Sequence, residues 1–342
     1  YNRRSLLNAM QTMEWAVSSP YASPATVQLL GRPLADALLP ASKKELPQEV
    51  TLLLEPDPEL HRLAWAALPT SQGPLGLHVA IAEIPSVLAE HASASAKPVS
   101  FSTDASPSAA RPLVIGASVA GGNAALLPEA IEEARRVGAY LHAPELLLGS
   151  QATAHNVAAE MSHASLLHFA GHAVQDDWGM RLLLAYEPEA DAHLDAPEPH
   201  PWIDEAFLRT HPPRACRLAV LSACATGGNA PSGQAPLRDL VKMLYSLGVP
   251  EVVATRWPVD SEASVTFMKA FYSSLDSGQD VAHALRSARL AQSKIEIYEN
   301  PYFWGAYYAT GREEFSFKGE RHANANDRGG LGRTQERSFQ GR

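Results

Sequence analysis

Two short stretches of the sequence end in side chains that can carry out nucleophilic chemistry. Cys224 follows the apolar run 218–221, and His172 follows the run 165–170 and a glycine. Runs of this kind are typical of strands buried on both faces, and open α/β sheets keep their sites at the carboxyl ends of such strands. If the two strands are neighbours, the thiol and the imidazole face each other across the sheet edge, as a nucleophile and its base require.

Each of these side chains also has an ordinary structural interpretation. A free cysteine is among the most buried residue types, and a histidine at a strand end usually makes a loop hydrogen bond. His168, His172 and Asp176 could together bind a metal ion, but no further ligand has suitable spacing, which favours a core position for His168. The loop 116–122 precedes a helix and could hold a phosphate, yet it lacks the G-x-G-x-x-G pattern. We therefore expect no metal and no cofactor.

Composition limits the class of protein. The chain has 342 residues, a hydrophobic fraction of 46% and a formal net charge of -9, which argues against nucleic acid as the main partner. No apolar run approaches membrane-spanning length, so we expect no membrane partner. The two cysteines, Cys216 and Cys224, give neither a disulfide framework nor a metal-site spacing, and a working thiol fits a reduced, cytoplasmic setting. The first residue is Tyr1 rather than Met, which is compatible with a fragment of a larger protein.

Periodicity and breaker residues predict five segments. Leucine and methionine at helical spacing predict a helical N-terminal segment, and an Ala/Ser/Pro-rich stretch predicts a flexible linker. The long middle part alternates between apolar strands and amphipathic helices, whereas the end of the chain lacks periodicity and is predicted to be a disordered tail. The predicted segments are 1–50 (helical), 51–91 (flanking strands), 92–112 (linker), 113–311 (core) and 312–342 (tail).

Within the core, the strands and helices can be placed individually. Thr153, Ser261 and Asp280 are predicted to cap helices, and the stretch 175–213 is predicted to be a long, mostly irregular insertion containing an acidic, proline-rich loop. The predicted core strands are 113–118, 145–149, 165–172, 218–224, 251–255 and 302–310, with helices starting at 128, 153, 236, 261 and 280. The predicted flanking strands are 51–57 and 77–84.

The motifs around the two reactive residues resemble those of a known family. His168-Phe-Ala-Gly-His172 and Leu221-Ser-Ala-Cys-Ala-Thr-Gly227 resemble the two signature motifs of CHAT-domain peptidases, caspase-like cysteine peptidases close to separases. The stretch Val252 to Asp260 resembles the family's next strand and its Trp-Pro-Val-Asp turn, and the resemblance extends over roughly 51–311. It implies an α/β fold: a caspase-like three-layer sandwich with a mostly parallel sheet, helices on both faces and an antiparallel last strand.

The resemblance also implies roles for individual residues. Cys224 is the nucleophile and His172 the base, and the backbone N–H groups of Cys224 and Ala173 stabilise the oxyanion. The family usually has glycine at the position of Ala173, and if that position needs a positive φ, alanine costs about 1 kcal/mol. Cys216 matches none of the motifs and is predicted to be structural.

Substrate recognition is predicted at the turn after the strand 251–255. The resemblance implies that Trp257, Asp260 and Glu262 contribute to substrate binding, with the acids pairing with a basic side chain before the scissile bond. The alternative is that Asp260 caps the following helix and that Glu262 is a solvated acid of its first turn.

These observations predict a cysteine endopeptidase that cleaves a protein substrate and is regulated by an attached or partner sensor segment. The alternative is a catalytically silent CHAT module that serves as a protein-interaction domain.

Overall fold

The computed structural model describes residues 2–39, 50–57, 59–84, 110–118, 126–176, 179–186, 201–225 and 238–311. The predicted tail, most of the predicted linker and most of the acidic loop lie outside the described residues. The helices are α1 (Arg3–Val17), α2 (Pro24–Leu38), α3 (Leu75–His78), α4 (Pro128–Gly138), α5 (Ala154–Met161), α6 (Glu205–Thr210), α7 (Arg238–Ser246), α8 (Ser261–Asp276) and α9 (Val281–Gln292). The strands are β1 (Thr51–Leu54), β2 (Pro69–Thr70), β3 (Gly73–Pro74), β4 (Ala80–Glu83), β5 (Arg111–Ala117), β6 (Glu145–Leu148), β7 (Ala164–Asp176), β8 (Gly179–Leu183), β9 (Trp202–Ile203), β10 (Leu218–Ala225), β11 (Glu251–Thr255) and β12 (Tyr307–Gly311).

One large sheet carries the fold. Its strands run in the order β1-β4-β12-β11-β10-β7-β5-β6, and β8 and β9 extend it beside β7. Neighbours pair in parallel along this path except β11 and β12, which are antiparallel, and β8 and β9 add antiparallel pairings. The sheet is therefore mostly parallel with an antiparallel last strand, as the sequence predicts.

Helices cover both faces of this sheet and form three layers. One apolar cluster joins Val220 and Val253 to α1, α2, α4, α8 and α9, and a second joins Ala219 and Val252 to α5, α6 and α7. All five residues of β11 are buried because both of its faces are covered. The architecture is the predicted caspase-like three-layer α/β sandwich.

Side-chain caps fix where the helices of the core begin. The side chain of Thr153 accepts from the N–H of Asn156, and Asp280 caps α9 in the same way. The cap of α8 is Asp260, whose Oδ1 accepts from the N–H of Ala263 at 2.9 Å, and not Ser261 as predicted from its residue type. A serine and an aspartate adjacent in sequence compete for this position, and here the carboxylate takes it.

The region predicted to be irregular, 175–213, contains more structure than its composition indicates. β7 continues to Asp176 and pairs with β8, β8 pairs with β9, and α6 follows with Asp204 as its cap. The prediction was wrong for the described part of this region because the pairing of β8 with β7 is a tertiary contact, which local composition does not reveal.

Three strands begin at residues other than those predicted from the sequence. β5 begins at Arg111, inside the predicted linker, since that residue pairs with Ala164 of β7. The strand predicted from Leu77 starts at Ala80, because Leu75–His78 forms a helical turn. The strand predicted from Tyr302 starts at Tyr307, because Pro301 opens a short 3-10 turn whose N-cap is Asn300.

Candidate active site

The two predicted reactive residues lie on neighbouring strands. β7 and β10 are parallel, and their register pairs Cys224 with His172 and Ala225 with Ala173. The register also pairs Leu218 with Leu166, which lie the same number of residues before Cys224 and His172. The backbones of the two predicted reactive residues are thus directly opposite each other at the carboxyl end of the strand pair.

His172 lies within a strand rather than at its end. β7 extends to Asp176, and the imidazole side chain belongs to a residue that is only 7% exposed. The strand is held on one edge by β10 and, just beyond His172, on the other edge by β8, where Ala173 pairs with Leu182. The predicted strand end at His172 was therefore wrong, and the ladder on both sides restricts the backbone of this histidine.

Ala173 sits in ordinary strand geometry. Among the described non-glycine residues, the only positive φ belongs to Ala143, at 46°. The family's usual glycine at position 173 therefore reflects no backbone need in this chain, and alanine carries no strain here. Ala173 is fully buried and is register-paired on both edges. Its role as an oxyanion donor stays a prediction.

A buried polar cluster lies beneath this edge of the sheet. The imidazole of His168 has its Nδ1 3.1 Å from the Tyr272 hydroxyl and its Nε2 3.1 Å from Oε1 of Glu133. His168 and Tyr272 are completely buried, and Glu133 is nearly so. Burial, and next the negative charge of Glu133, raise the pKa of the Tyr272 phenol well above its ordinary value. His168 thus occupies the core position favoured by the sequence, with both ring nitrogens engaged.

A second chain of hydroxyl groups fixes β10 just before Cys224. The hydroxyl of Tyr307 lies 3.0 Å from Oγ of Ser222 and donates to Oγ of Ser264 at 3.0 Å. In addition, Oγ1 of Thr255 donates to the carbonyl of Ala223 at 3.0 Å. These contacts join β10 to β11, β12 and α8, and sequence reasoning missed them. The available signal was a polar side chain within an otherwise apolar strand, as at Ser222 and Thr255.

The three residues predicted to bind substrate have different environments. Trp257 is buried, and its Nε1 donates to the carbonyl of Tyr302 at 3.0 Å, so the ring is part of the core. Asp260 and Glu262 are exposed at the start of α8, beyond the carboxyl end of β11. Burial, and then the carboxylates of Asp260 and Glu262, raise the pKa of the neighbouring Tyr298 phenol. The structure thus groups the two acids at one surface and separates Trp257 from that surface.

Cys216 has the surroundings of a structural thiol. It is buried, and its Sγ lies 3.2 Å from the carbonyl oxygen of Leu218. Burial raises the pKa of this thiol to about 12, although backbone hydrogen bonds at Leu167 and Leu218 act in the opposite direction. A thiol with this pKa is almost entirely protonated at neutral pH and is a poor nucleophile.

Among the described residues, no three His, Cys, Asp or Glu side chains are grouped so that they could hold a metal ion. No helix among the same residues is both long enough and apolar enough to cross a membrane.

Comparison with known proteins places this architecture in the caspase-like class of α/β folds. A family model described as the CHAT domain matches residues 25–312, so the chain belongs to the CHAT domain family. Comparison with curated proteins finds no match.

Two solved structures align with this chain, and the first of them shows a similarity of fold. The crystal structure of the Arg specific cysteine proteinase gingipain R (RgpB) aligns with a TM-score of 0.52 and 10% identity, covering 89% of this chain and 74% of that chain. The complex of Porphyromonas gingivalis RgpB pro- and mature domains aligns with a TM-score of 0.46 and 9% identity, covering 90% of this chain and 76% of that chain.

Proposed function

We propose that this chain is a cysteine endopeptidase in which Cys224 is the nucleophile and His172 is the base. The observation that carries the proposal is the register of β7 and β10, which sets these two residues opposite each other at a sheet edge. Membership of the CHAT family and a fold shared with a structure titled as a cysteine proteinase support the same chemistry.

The proposed reaction has two steps. His172 takes the proton of the Cys224 thiol, the thiolate sulfur attacks the scissile carbonyl carbon, and the C–N bond breaks as the histidine passes the proton to the leaving amine. A water molecule then attacks the thioester, again with His172 as base, and releases the carboxylate and the free thiol. The backbone N–H groups of Cys224 and Ala173 are the proposed donors to the oxyanion in both steps.

The proposed substrate is a protein with a basic side chain before the scissile bond. The support is the pair of exposed acids, Asp260 and Glu262, which lie beyond the carboxyl end of β11, two strands from β7. One similar structure is titled as an Arg specific proteinase, which is consistent with such a preference. Trp257 is left out of this proposal because its ring is buried in the core and its Nε1 already donates to the carbonyl of Tyr302.

The proposed regulation is activation by an attached or partner protein segment. The support is the burial of His172, since a base that is 7% exposed cannot reach a bound peptide until the groups around it move. The chain alone is then a weak peptidase, and the same burial favours the alternative of a catalytically silent interaction module. The two proposals differ in whether Cys224 ever becomes reactive.

The test of the dyad is a set of variants assayed with a thiol-reactive peptide probe carrying a basic residue and with a protein substrate. Cys224→Ala and His172→Ala should each abolish labelling and cleavage while keeping the circular dichroism spectrum, and the double variant should lose no more than either single variant. Cys216→Ser is the matched control and should retain activity. Cleavage by the Cys224→Ala variant at the parent's rate would falsify the peptidase proposal. A parent whose Cys224 stays unlabelled even with its native partner present would favour the interaction module.

A further inference from the structure

A small cavity lies where β4, β12 and α9 meet. Trp65, Glu83, Arg256 and Arg289 are among the residues that line it, and its volume of about 10 Å³ leaves room for one water-sized atom. All four residues are buried. The cavity belongs to a different part of the sheet from the Cys224 and His172 pair, because β12 and β11 lie between β4 and β10.

Two of the residues that line the cavity carry buried hydrogen-bond donors that have no acceptor. Nε and Nη1 of Arg289 and Nε1 of Trp65 are buried and have no hydrogen-bond partner among the described protein groups. Arg289 has only one such bond, from Nη2 to the carbonyl of Tyr307 at 2.8 Å. Buried donors left without acceptors destabilise the folded state, and more strongly when they belong to a charged group. An acceptor in the cavity would remove this cost.

The charges around the cavity are also unbalanced. Both terminal nitrogens of Arg256 have partners: Nη2 pairs with Glu83, and Nη1 donates to the carbonyl of His61 at 2.8 Å. Its Cζ lies 4.1 Å from the centre of the Tyr308 ring. Glu83 therefore compensates Arg256, and the charge of Arg289 is left over. Two arginines and one carboxylate give a net charge of +1 in a volume where an uncompensated charge is expensive.

The pKa of Arg289 responds to this imbalance. Burial, and next the positive charge of Arg256, lower the pKa of its guanidinium to about 9, although Glu83 acts in the opposite direction. The guanidinium still carries its charge at neutral pH, so a compensating negative charge remains favourable there.

We propose that this cavity binds a single monovalent anion of the size of chloride. A halide accepts several N–H donors at once and cancels the remaining charge. A water molecule accepts fewer, brings two hydrogens that need acceptors of their own, and leaves the charge in place. Carboxylates and sulfate are too large for a cavity of this volume. The anion stabilises the junction of β4, β12 and α9, and this role is independent of the proposed peptidase activity.

The test compares the thermal unfolding of the full 342-residue chain in sodium chloride, bromide, sulfate and gluconate at equal ionic strength. Chloride and bromide should raise Tm by about 1–3 °C along a saturable curve, because an ion that binds only the folded state stabilises it. Sulfate and gluconate should give only the response due to ionic strength. Equal Tm values in all four salts would overturn the proposal.

Two variants locate the effect. Trp65→Phe keeps an aromatic ring and removes one donor, and should raise the half-saturating chloride concentration by about tenfold, since a hydrogen bond to a charged group is stronger than one to a neutral group. Arg289→Met removes the charge and should abolish the response. If Arg289→Met does not fold, Trp65→Phe alone decides.

The matched control is Arg111→Met, which removes one positive charge from a half-exposed ion pair with Glu145 and Glu160. It should keep the parent's chloride response. A halide effect that is unchanged in Trp65→Phe and in Arg289→Met would place the ion elsewhere and refute the assignment.

Discussion

At the scale of the residue, the burial of Cys216 affects two measurable properties: the pH dependence of the free energy of unfolding and the rate at which the thiol is alkylated. Because burial holds this thiol protonated up to about pH 12 and a free thiol titrates near 9.0, its contribution to the free energy of unfolding is fully present below pH 9. That contribution is lost as the pH rises from 9 towards 12, since the unfolded state then releases a proton that the folded state retains. The buried phenols of Tyr245 and Tyr272, whose pKa values burial also raises, act in the same direction at higher pH.

The corresponding prediction is a shallower alkaline profile for Cys216→Ala. Urea unfolding of the parent between pH 8 and 11 should show a falling free energy of unfolding, and the variant should fall less steeply across the same range. Native alkylation at pH 8 with mass spectrometry should leave Cys216 unmodified, whereas alkylation in denaturant should modify it. Labelling of Cys216 in the folded chain at a rate typical of an exposed thiol would contradict the predicted burial.

Asp260 combines a structural and a proposed recognition role that two substitutions can separate. Asp260→Ala removes the cap of α8 and should lower the free energy of unfolding by about 1 kcal/mol, whereas Asp260→Asn keeps an oxygen for the N–H of Ala263 and should change it little. If the carboxylate also attracts a basic substrate, Asp260→Asn should lower kcat/KM for basic peptides relative to neutral ones. An unchanged ratio would leave Asp260 as a cap alone.

At the scale of the element, the contact between β5 and α4 depends on the absence of a side chain at Gly116. A Cβ there would lie 2.8 Å from the Cβ of Ala134 and 2.9 Å from the carbonyl of Ala130. We expect Gly116→Ala to lower the free energy of unfolding by about 1–3 kcal/mol, because the helix must move away from the strand. Chemical denaturation monitored by fluorescence measures this difference.

The control is Ala143→Gly, a substitution that removes a Cβ and should stabilise the chain, whereas Gly116→Ala adds a Cβ and should destabilise it. The φ of 46° at Ala143 is unfavourable for a residue with a Cβ, so Ala143→Gly should raise the free energy of unfolding by about 0.5–1 kcal/mol. If both substitutions destabilise the chain equally, the contact at Gly116 is not the cause of its effect.

The elements that the sequence predicts correctly are those whose signals are local. The caps of α5 and α9 and the buried strand β11 follow from side chains next to them in the chain. The extension of β7 beyond His172 and the strand β8 depend on pairing between segments, and neither segment carries a local pattern strong enough to show it. The hydroxyl contact of Ser222 with Tyr307 spans 85 residues and could not be foreseen for the same reason.

At the scale of the whole molecule, the N-terminal helices and the sheet share one core. Met13, Val27 and Leu34 are fully buried in the same apolar cluster as Val220 of β10. The family match begins at residue 25, within α2. α1 and α2 lie in the segment that the sequence predicts to be helical, and their apolar contacts join them to the core around the sheet.

A prediction follows for stability. Leu34→Ala should lower the free energy of unfolding by about 2–5 kcal/mol, as expected for a residue of the central core. Leu29→Ala on the same helix is the control, since Leu29 is 70% exposed and its loss should change the free energy by less than about 0.5 kcal/mol. Thermal denaturation of both variants, with a single transition in each, measures the difference. Equal effects would mean that α2 does not pack as described.

The pairing of β7 on both of its edges has a mechanical consequence. β7 continues past His172 to Asp176, and at Ala173 it pairs with β10 on one edge and with β8 on the other. A displacement of this part of β7 would therefore break ladder hydrogen bonds on two sides. An antibody or inhibitor that binds β8 would stiffen a segment that two neighbouring strands already hold in place.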